Sequence, residues 1–316
     1  MTSDHSHAHD AELPPPVLEE ISPAVYSYVQ PDGTWFINNT GFVVGDDGVV
    51  VVDATSTEAR TLAFIQAIRS VTDKPITTLI NTHHHGDHTH GNYLFRDATI
   101  VGHRRCRQVM MSAGHIVDYS AAFPGVEWGA LEFAPPTLTF EGSLEVYAGD
   151  LKLDLHDVGS VAHTEGDVHV WIPERGVLFA GDLVFHGGTP FALFGSVSGT
   201  IAAMDRLEAY DAAVLVPGHG PVARGAEVTA AFDDQRQYLT FVQEQAAAGI
   251  SAGRTPLEQA RETDLGRFAT WSDSERLAGN LNVAYREAGH NPEFSIETSI
   301  GQMIEFNGGA LPRCLA

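Results

Sequence analysis

Apolar and β-branched residues form short runs separated by turn residues over most of the chain up to about residue 220. Positions 25–29, 40–44 and 49–53 read as extended segments. At 57–71 the period changes: Leu62, Ile65, Ala67 and Ile68 recur at near-helical spacing, which predicts a helix. A strand pattern returns at 76–82, followed by a short helix at 91–95 and a strand at 99–102. Strand and turn patterns then run from 138 to 184, and a helix is predicted at 200–210. The β-rich block followed by a helix repeats the logic of the first half, so the pattern predicts an α/β protein of two layers. Beyond residue 226 the pattern turns helical, at 227–248, 256–267 and 274–288. Leu239, Phe241 and Val242 make one apolar cluster there, expected to pack on the core or on a partner such as a second copy of the chain.

The chemistry gathers where predicted strands end. Directly after the 76–82 strand come His83-His84-His85-Gly86-Asp87-His88. Imidazole nitrogen and carboxylate oxygen are donors that zinc accepts, and no Cys competes nearby. One His in a loop is usually just solvated; three His and an Asp spaced His-x-His-x-Asp-His make a metal site the default reading. In a tight turn His83 and His85 point to one side, and Asp87 and His88 towards a neighbouring point. Such a layout suits two adjacent ions and demands further ligands. His163, Asp182 and His219 each sit in a turn-like stretch at the end of a probable strand. Taken singly, each is as well explained as a turn residue bonding its own backbone.

In order along the chain, Asp53, His83-x-His85-x-Asp87-His88, His163, Asp182 and His219 resemble the five motifs of the metallo-β-lactamase superfamily, over about residues 25–222. The resemblance implies a four-layered αββα sandwich. It implies two zinc ions, the first held by His83, His85 and His163, the second by Asp87, His88 and His219, with Asp182 bridging and Asp53 supporting the His loop. It implies a hydrolase in which zinc-generated hydroxide attacks a carbonyl substrate, with Asp87 and Asp182 as the catalytic carboxylates. His85 stands where iron-binding relatives carry Glu, which favours zinc. Asp182 stands where β-lactamases of the superfamily carry Cys or Ser, which points instead to the glyoxalase II-like, lactonase-like and thioesterase-like branch. Further stretches, among them 81–92, 126–129, 135–140, 188–191 and 195–199, are similar to the metallo-β-lactamase-type cyclases and thioesterases of bacterial aromatic polyketide pathways. The implied substrate is a thioester, ester or lactone, as a small molecule or linked to an acyl carrier. Two alternatives share the loop: a mononuclear iron persulfide dioxygenase and a non-catalytic metal-binding relative.

The organisation expected is a flexible His/Pro-containing tail at 1–20, a catalytic domain at 21–225 and a helical extension at 226–316. Residues 112–136, long, irregular and aromatic, are expected to cap the site. Trp128 in that stretch, His186 four residues beyond Asp182, and Phe191 are the expected substrate contacts, each with packing or surface exposure as the bland alternative. His84, at a variable position of the motif, is expected to be exposed.

Charge narrows the partners. Lys and Arg number 18 against 41 Asp and Glu, a formal charge of −23, which argues against nucleic acid. The basic run His103-Arg-Arg-Cys-Arg107 reads as the solvated face of a short helix. No apolar run approaches the roughly 20 residues of a membrane helix. Cys106 and Cys314 are far apart and away from the ligand motifs, so both are expected as free thiols of a reducing compartment. The N-terminal segment, with His5, His7 and His9, lacks the basic and apolar regions of a signal peptide. A cytoplasmic protein with no membrane partner is the expectation.

Overall fold

The structure, a computed structural model, describes residues 13–116, 119–291 and 293–316; the tail histidines His5, His7 and His9 lie outside them. Two sheets stack face to face. The first runs in chain order through β1 (Val17–Ser22), β2 (Val25–Val29), β3 (Thr40–Val44), β4 (Val49–Val52), β5 (Ile76–Ile80), β6 (Thr99–His103) and β7 (Leu138–Phe140). Its strands pair antiparallel as far as β4 and parallel from β4 to β7. The second has the order β13-β12-β11-β10-β9-β8, from β8 (Ser143–Ala148), β9 (Leu151–Asp157), β10 (Val168–Ile172), β11 (Val177–Phe185), β12 (Val214–His219) and β13 (Ala223–Arg224). Only β11 and β12 pair parallel in it.

The helices are α1 (Glu58–Val71), α2 (Gly86–Thr89), α3 (Arg104–Ala113), α4 (Val197–Glu208), α5 (Ala226–Ser251), α6 (Pro256–Glu262), α7 (Arg276–Glu287) and α8 (Ile296–Phe306). Parallel neighbours need a crossover, and α1 supplies the one between β4 and β5. It starts where Thr57 caps it, its side chain accepting from Arg60 N–H.

Strand periodicity sorts each residue to a layer. In the run Val49-Val-Val-Val52, Val50 and Val52 face the second sheet and meet Leu153, Leu155, Val170 and Phe179. Val49 and Val51 face outward, against Phe64 and Ile68 of α1. In β11, Val177 and Phe179 point between the sheets, while Leu178 and Ala180 point outward to Met204 and Leu207 of α4. A strand buried on both faces must be apolar at every position, which explains the unbroken runs. The result is the four-layered αββα sandwich.

One boundary differs from expectation. Val17–Ser22 is a strand paired with β2, so the tail does not extend to residue 20. Phe232, Tyr238 and Leu239 of α5 and Leu277 and Leu281 of α7 belong to the same apolar cluster as Leu178 and Leu215 of the second sheet. The extension therefore continues the outer helical layer. The 256–267 stretch splits into α6 and a 3₁₀ turn at Gly266–Thr270, and α8 is an additional helix. Among the described residues no helix is long and apolar enough to cross a membrane. Both cysteines are free thiols, Cys106 buried.

Candidate metal centre

The ligand residues converge because the strands carrying them end along one edge of the sandwich. β4 delivers Asp53, β5 the His loop, the β9–β10 turn His163, β11 Asp182 and β12 His219. They form two groups. One is His83, His85, His163 and Asp182; the other is Asp87, His88, His219 and Asp182. In each, the donor atoms lie within 4.8 Å of one another. Asp182, common to both, has Oδ1 3.0 Å from His88 Nε2 and Oδ2 3.3 Å from His163 Nε2 and 3.4 Å from His219 Nε2.

These close approaches are not hydrogen bonds in every case. His83 Nε2, His85 Nε2, His88 Nε2 and Asp182 Oδ1 are buried without a hydrogen-bond partner. Orphaned buried polar atoms are costly, and these four, divided between the two groups with Asp182 in both, need partners. Four imidazole–carboxylate donors per group are the set that divalent zinc takes. The residues present fit a pair of such ions.

Electrostatics points the same way. Burial, then the charge on His88, pushes His83 well below its ordinary value; burial and His163 do the same for His85. Both imidazoles are thus held neutral, as a ligating nitrogen must be. Burial opposes the charge on Asp182, but His219, His88 and His163 override it and hold its carboxyl well below the usual carboxylate range. His219 is pushed up to about 9 by Asp182 and Asp87 against the effect of burial, so a metal arriving there displaces a proton.

Supporting residues fix the rings. Asp53, in a left-handed backbone conformation (φ 60°), accepts from Thr82 N–H at 2.7 Å, from Thr82 Oγ1 at 2.7 Å and from His88 Nδ1 at 2.8 Å. One carboxylate therefore orients a ligand ring and ties down the residue before His83. His219 Nδ1 bonds the Gly33 carbonyl at 3.1 Å. Gly218 lies so close that a Cβ there would overlap Asp182 Oδ1.

Above the two candidate ligand groups opens a cavity of ≈110 Å³. His85, Asp87, Asp182 and His219 form its polar floor; Trp35, Phe36, Phe123, Phe185, Phe191 and Phe194 form much of its wall. Ile300, Met303 and Ile304 of α8 and Arg276 of α7 complete it. Trp35 packs edge-on to Phe191 at 4.9 Å and against Phe123 at 5.6 Å.

Phe191 thus lies where a substrate contact was expected, and the 112–136 stretch reaches the cavity through Tyr119, Ala122 and Phe123. Two other expected contacts lie elsewhere. His186 turns its Nδ1 to the Pro221 carbonyl at 2.9 Å and does not line the cavity. Trp128 packs behind the wall, 4.9 Å from Phe36 and 5.9 Å from His90. His84 is half-buried against Phe194, not exposed. Trp35, Arg276 and the α8 residues were absent from the sequence reading. The spacing Ile296, Ile300, Met303, Ile304 after the capping Ser295 is the signal that could have located α8.

Comparison with known proteins agrees with this architecture. The linear primary-alkylsulfatase of Pseudomonas sp. (strain ATCC 19151) is 24% identical over 259 residues, which are 69% of this chain and 48% of that protein. The beta-lactamase-like protein 2 homolog of Caenorhabditis elegans is 24% identical over 216 residues, 65% of this chain and 64% of that one. The chain thus spans about half to two thirds of the length of these curated relatives. The solved metallo-beta-lactamase from Pontibacter korlensis superposes with a TM-score of 0.59 at 19% identity, covering 72% of this chain and 99% of that structure, a likeness of fold. A family model described as the Metallo-beta-lactamase superfamily matches residues 33–219, from beside Trp35 to the last histidine ligand. The chain belongs to the metallo-β-lactamase superfamily.

Proposed function

We propose that the chain is a dinuclear zinc-dependent hydrolase acting on a thioester, ester or lactone with an apolar or aromatic body. The observation that carries this reading is the pair of ligand groups sharing Asp182 at the floor of an aromatic-walled cavity. His83, His85 and His163 with Asp182 would hold one ion, and Asp87, His88 and His219 with Asp182 the other. When bound, the ions supply Lewis acidity and make water acidic enough to ionise near neutral pH.

The chain's own residues supply the rest. Asp53 fixes the tautomer and tilt of His88 through the bond to Nδ1. Asp87 and Asp182 face the cavity and are the carboxylates able to orient an attacking water and pass its proton to a leaving group. Trp35, Phe123 and Phe191 exclude solvent and hold the apolar body beside the floor. The aromatic wall supports an aromatic polyketide-type acyl group, free or carried on an acyl carrier, and a cyclase/thioesterase role.

Metal analysis of protein purified without added metal, followed by a panel of thioesters, lactones, nitrophenyl esters and alkyl sulfates, tests the reading. Two zinc ions per chain and turnover of a carbonyl ester are expected. One iron per chain with oxygen consumption would instead favour a persulfide dioxygenase, and two zinc ions with no turnover a binding relative. Alkyl sulfates belong in the panel because the Pseudomonas relative is named for them.

A further inference from the structure

Arg276 is a cation in the largely aromatic and aliphatic wall of the cavity. It lies on α7, beyond the residues matched by the family. It is 2% exposed. Its guanidinium stacks over Trp35 at 4.1 Å and lies 5.5 Å from the Phe185 ring and 5.7 Å from the Phe191 ring. Nη1 donates to the Thr189 carbonyl at 2.8 Å. Nη2 lies 2.9 Å from Asp273 Oδ2, yet that oxygen has no hydrogen bond, and Arg276 Nε has no acceptor at all.

A buried arginine that served only to anchor α7 would have its donors filled, because an imperfectly paired buried charge is expensive. Here the pairing is incomplete, at Nε and towards Asp273, in a residue that lines the cavity. The neighbouring acid Glu275 does not compensate, since its Oε1 accepts from Trp35 Nε1 at 2.6 Å. A guanidinium with unused donors, stacked on a tryptophan and set in an apolar wall, is suited to receive a planar or tetrahedral oxyanion.

We propose that Arg276 makes this cavity a receptor for an oxyanion group, carboxylate or sulfate, carried on the substrate's apolar body. The inference rests on the cavity being the substrate site of the hydrolase proposed above, and it names the substrate class: an anionic amphiphile. The apolar part lies against Phe123, Ile300 and Met303, and the oxyanion takes the donors that Asp273 leaves open.

The test is calorimetric titration of the zinc-loaded, full-length protein with octanoate, octyl sulfate and octanol, for wild type, R276Q, R276K and D273N. R276Q is expected to weaken both anions by about tenfold or more, the worth of one charge-assisted hydrogen bond, with octanol unchanged. R276K keeps the charge without the fork and is expected to fall between; it serves also where R276Q fails to fold. D273N removes the competing internal anion and is expected to tighten both anions, an outcome that an anchoring role does not give. Whichever anion binds tighter identifies the group. Equal weakening of octanol and octanoate in R276Q, or no effect on the anions, overturns the proposal. Arg276-dependent anion binding without turnover of any ester overturns the hydrolase reading alone. Turnover of neutral esters without an Arg276-dependent anion preference overturns this one alone.

Discussion

Replacing Asp53 with Asn changes one atom and tests how the His loop is held. The ionised carboxylate can only accept, so the proton shared with His88 belongs to Nδ1, and the Nε2 lone pair is left for a metal. Burial works against that charge, and His88 and Thr82 counter it. In the D53N variant, the amide oxygen keeps the bond from Thr82 N–H and the amide nitrogen takes the place of Oδ2. That nitrogen donates, so His88 Nδ1 must accept and the ring proton moves to Nε2, the ligating atom. Losing a carboxylate behind a ligating histidine typically costs about 10–100-fold in metal affinity, or about 1.4–2.7 kcal/mol. D53N is expected at the upper end, because it sets the wrong tautomer; D53A leaves the tautomer free and should lose less. Competition against a chromophoric chelator measures both affinities, and the loss should fall mainly on the site built from Asp87, His88 and His219. If D53N took up both ions with wild-type affinity, the role given to Asp53 would be refuted.

Three other outcomes follow from the same geometry. Gly218→Ala places a methyl group on Asp182 Oδ1; elemental analysis should find metal lost while circular dichroism shows the sandwich retained. Chelation should be easier at lower pH, since His219 binds a proton with a pKa near 9 that competes with metal, and zinc retained equally at pH 6 and pH 8 would contradict this. Away from the site, burial and then His156 lower His169 to about 3, while its Nε2 meets Tyr210 Oη at 3.0 Å. Its folded pKa is depressed below the unfolded value of about 6.5, so the unfolded chain binds the proton more readily and stability falls as pH drops from 6.5 towards 3. Between pH 7 and pH 5, wild type should lose about 2 kcal/mol more than H169Q in urea melts; equal losses would show that the ring is not held neutral.

How far the sequence carried the reading depended on whether each feature is local. The strands were legible because burial on both faces demands unbroken apolar runs, as in Val49–Val52. The residues that gather at the site were legible because most sit at or just after a strand end, Asp182 inside β11 being the exception, and because their order resembles a known family. The wall of the cavity has no such signature. Trp35 Nε1 meets Glu275 across 240 residues, and Arg276 reaches the Thr189 carbonyl across 87. Closeness in sequence also misleads: His186 is four residues from Asp182, but its backbone N–H bonds the His219 carbonyl and its ring turns to Pro221. The family match ends at residue 219, while Arg276 and the α8 residues that close the cavity come after it. The candidate ligands are thus written in short motifs within the shared sandwich, whereas part of the cavity wall comes from an outer helical layer whose contacts form only on folding. Relatives that keep the ligands and differ after residue 219 should therefore share the metal centre and differ in what they cleave.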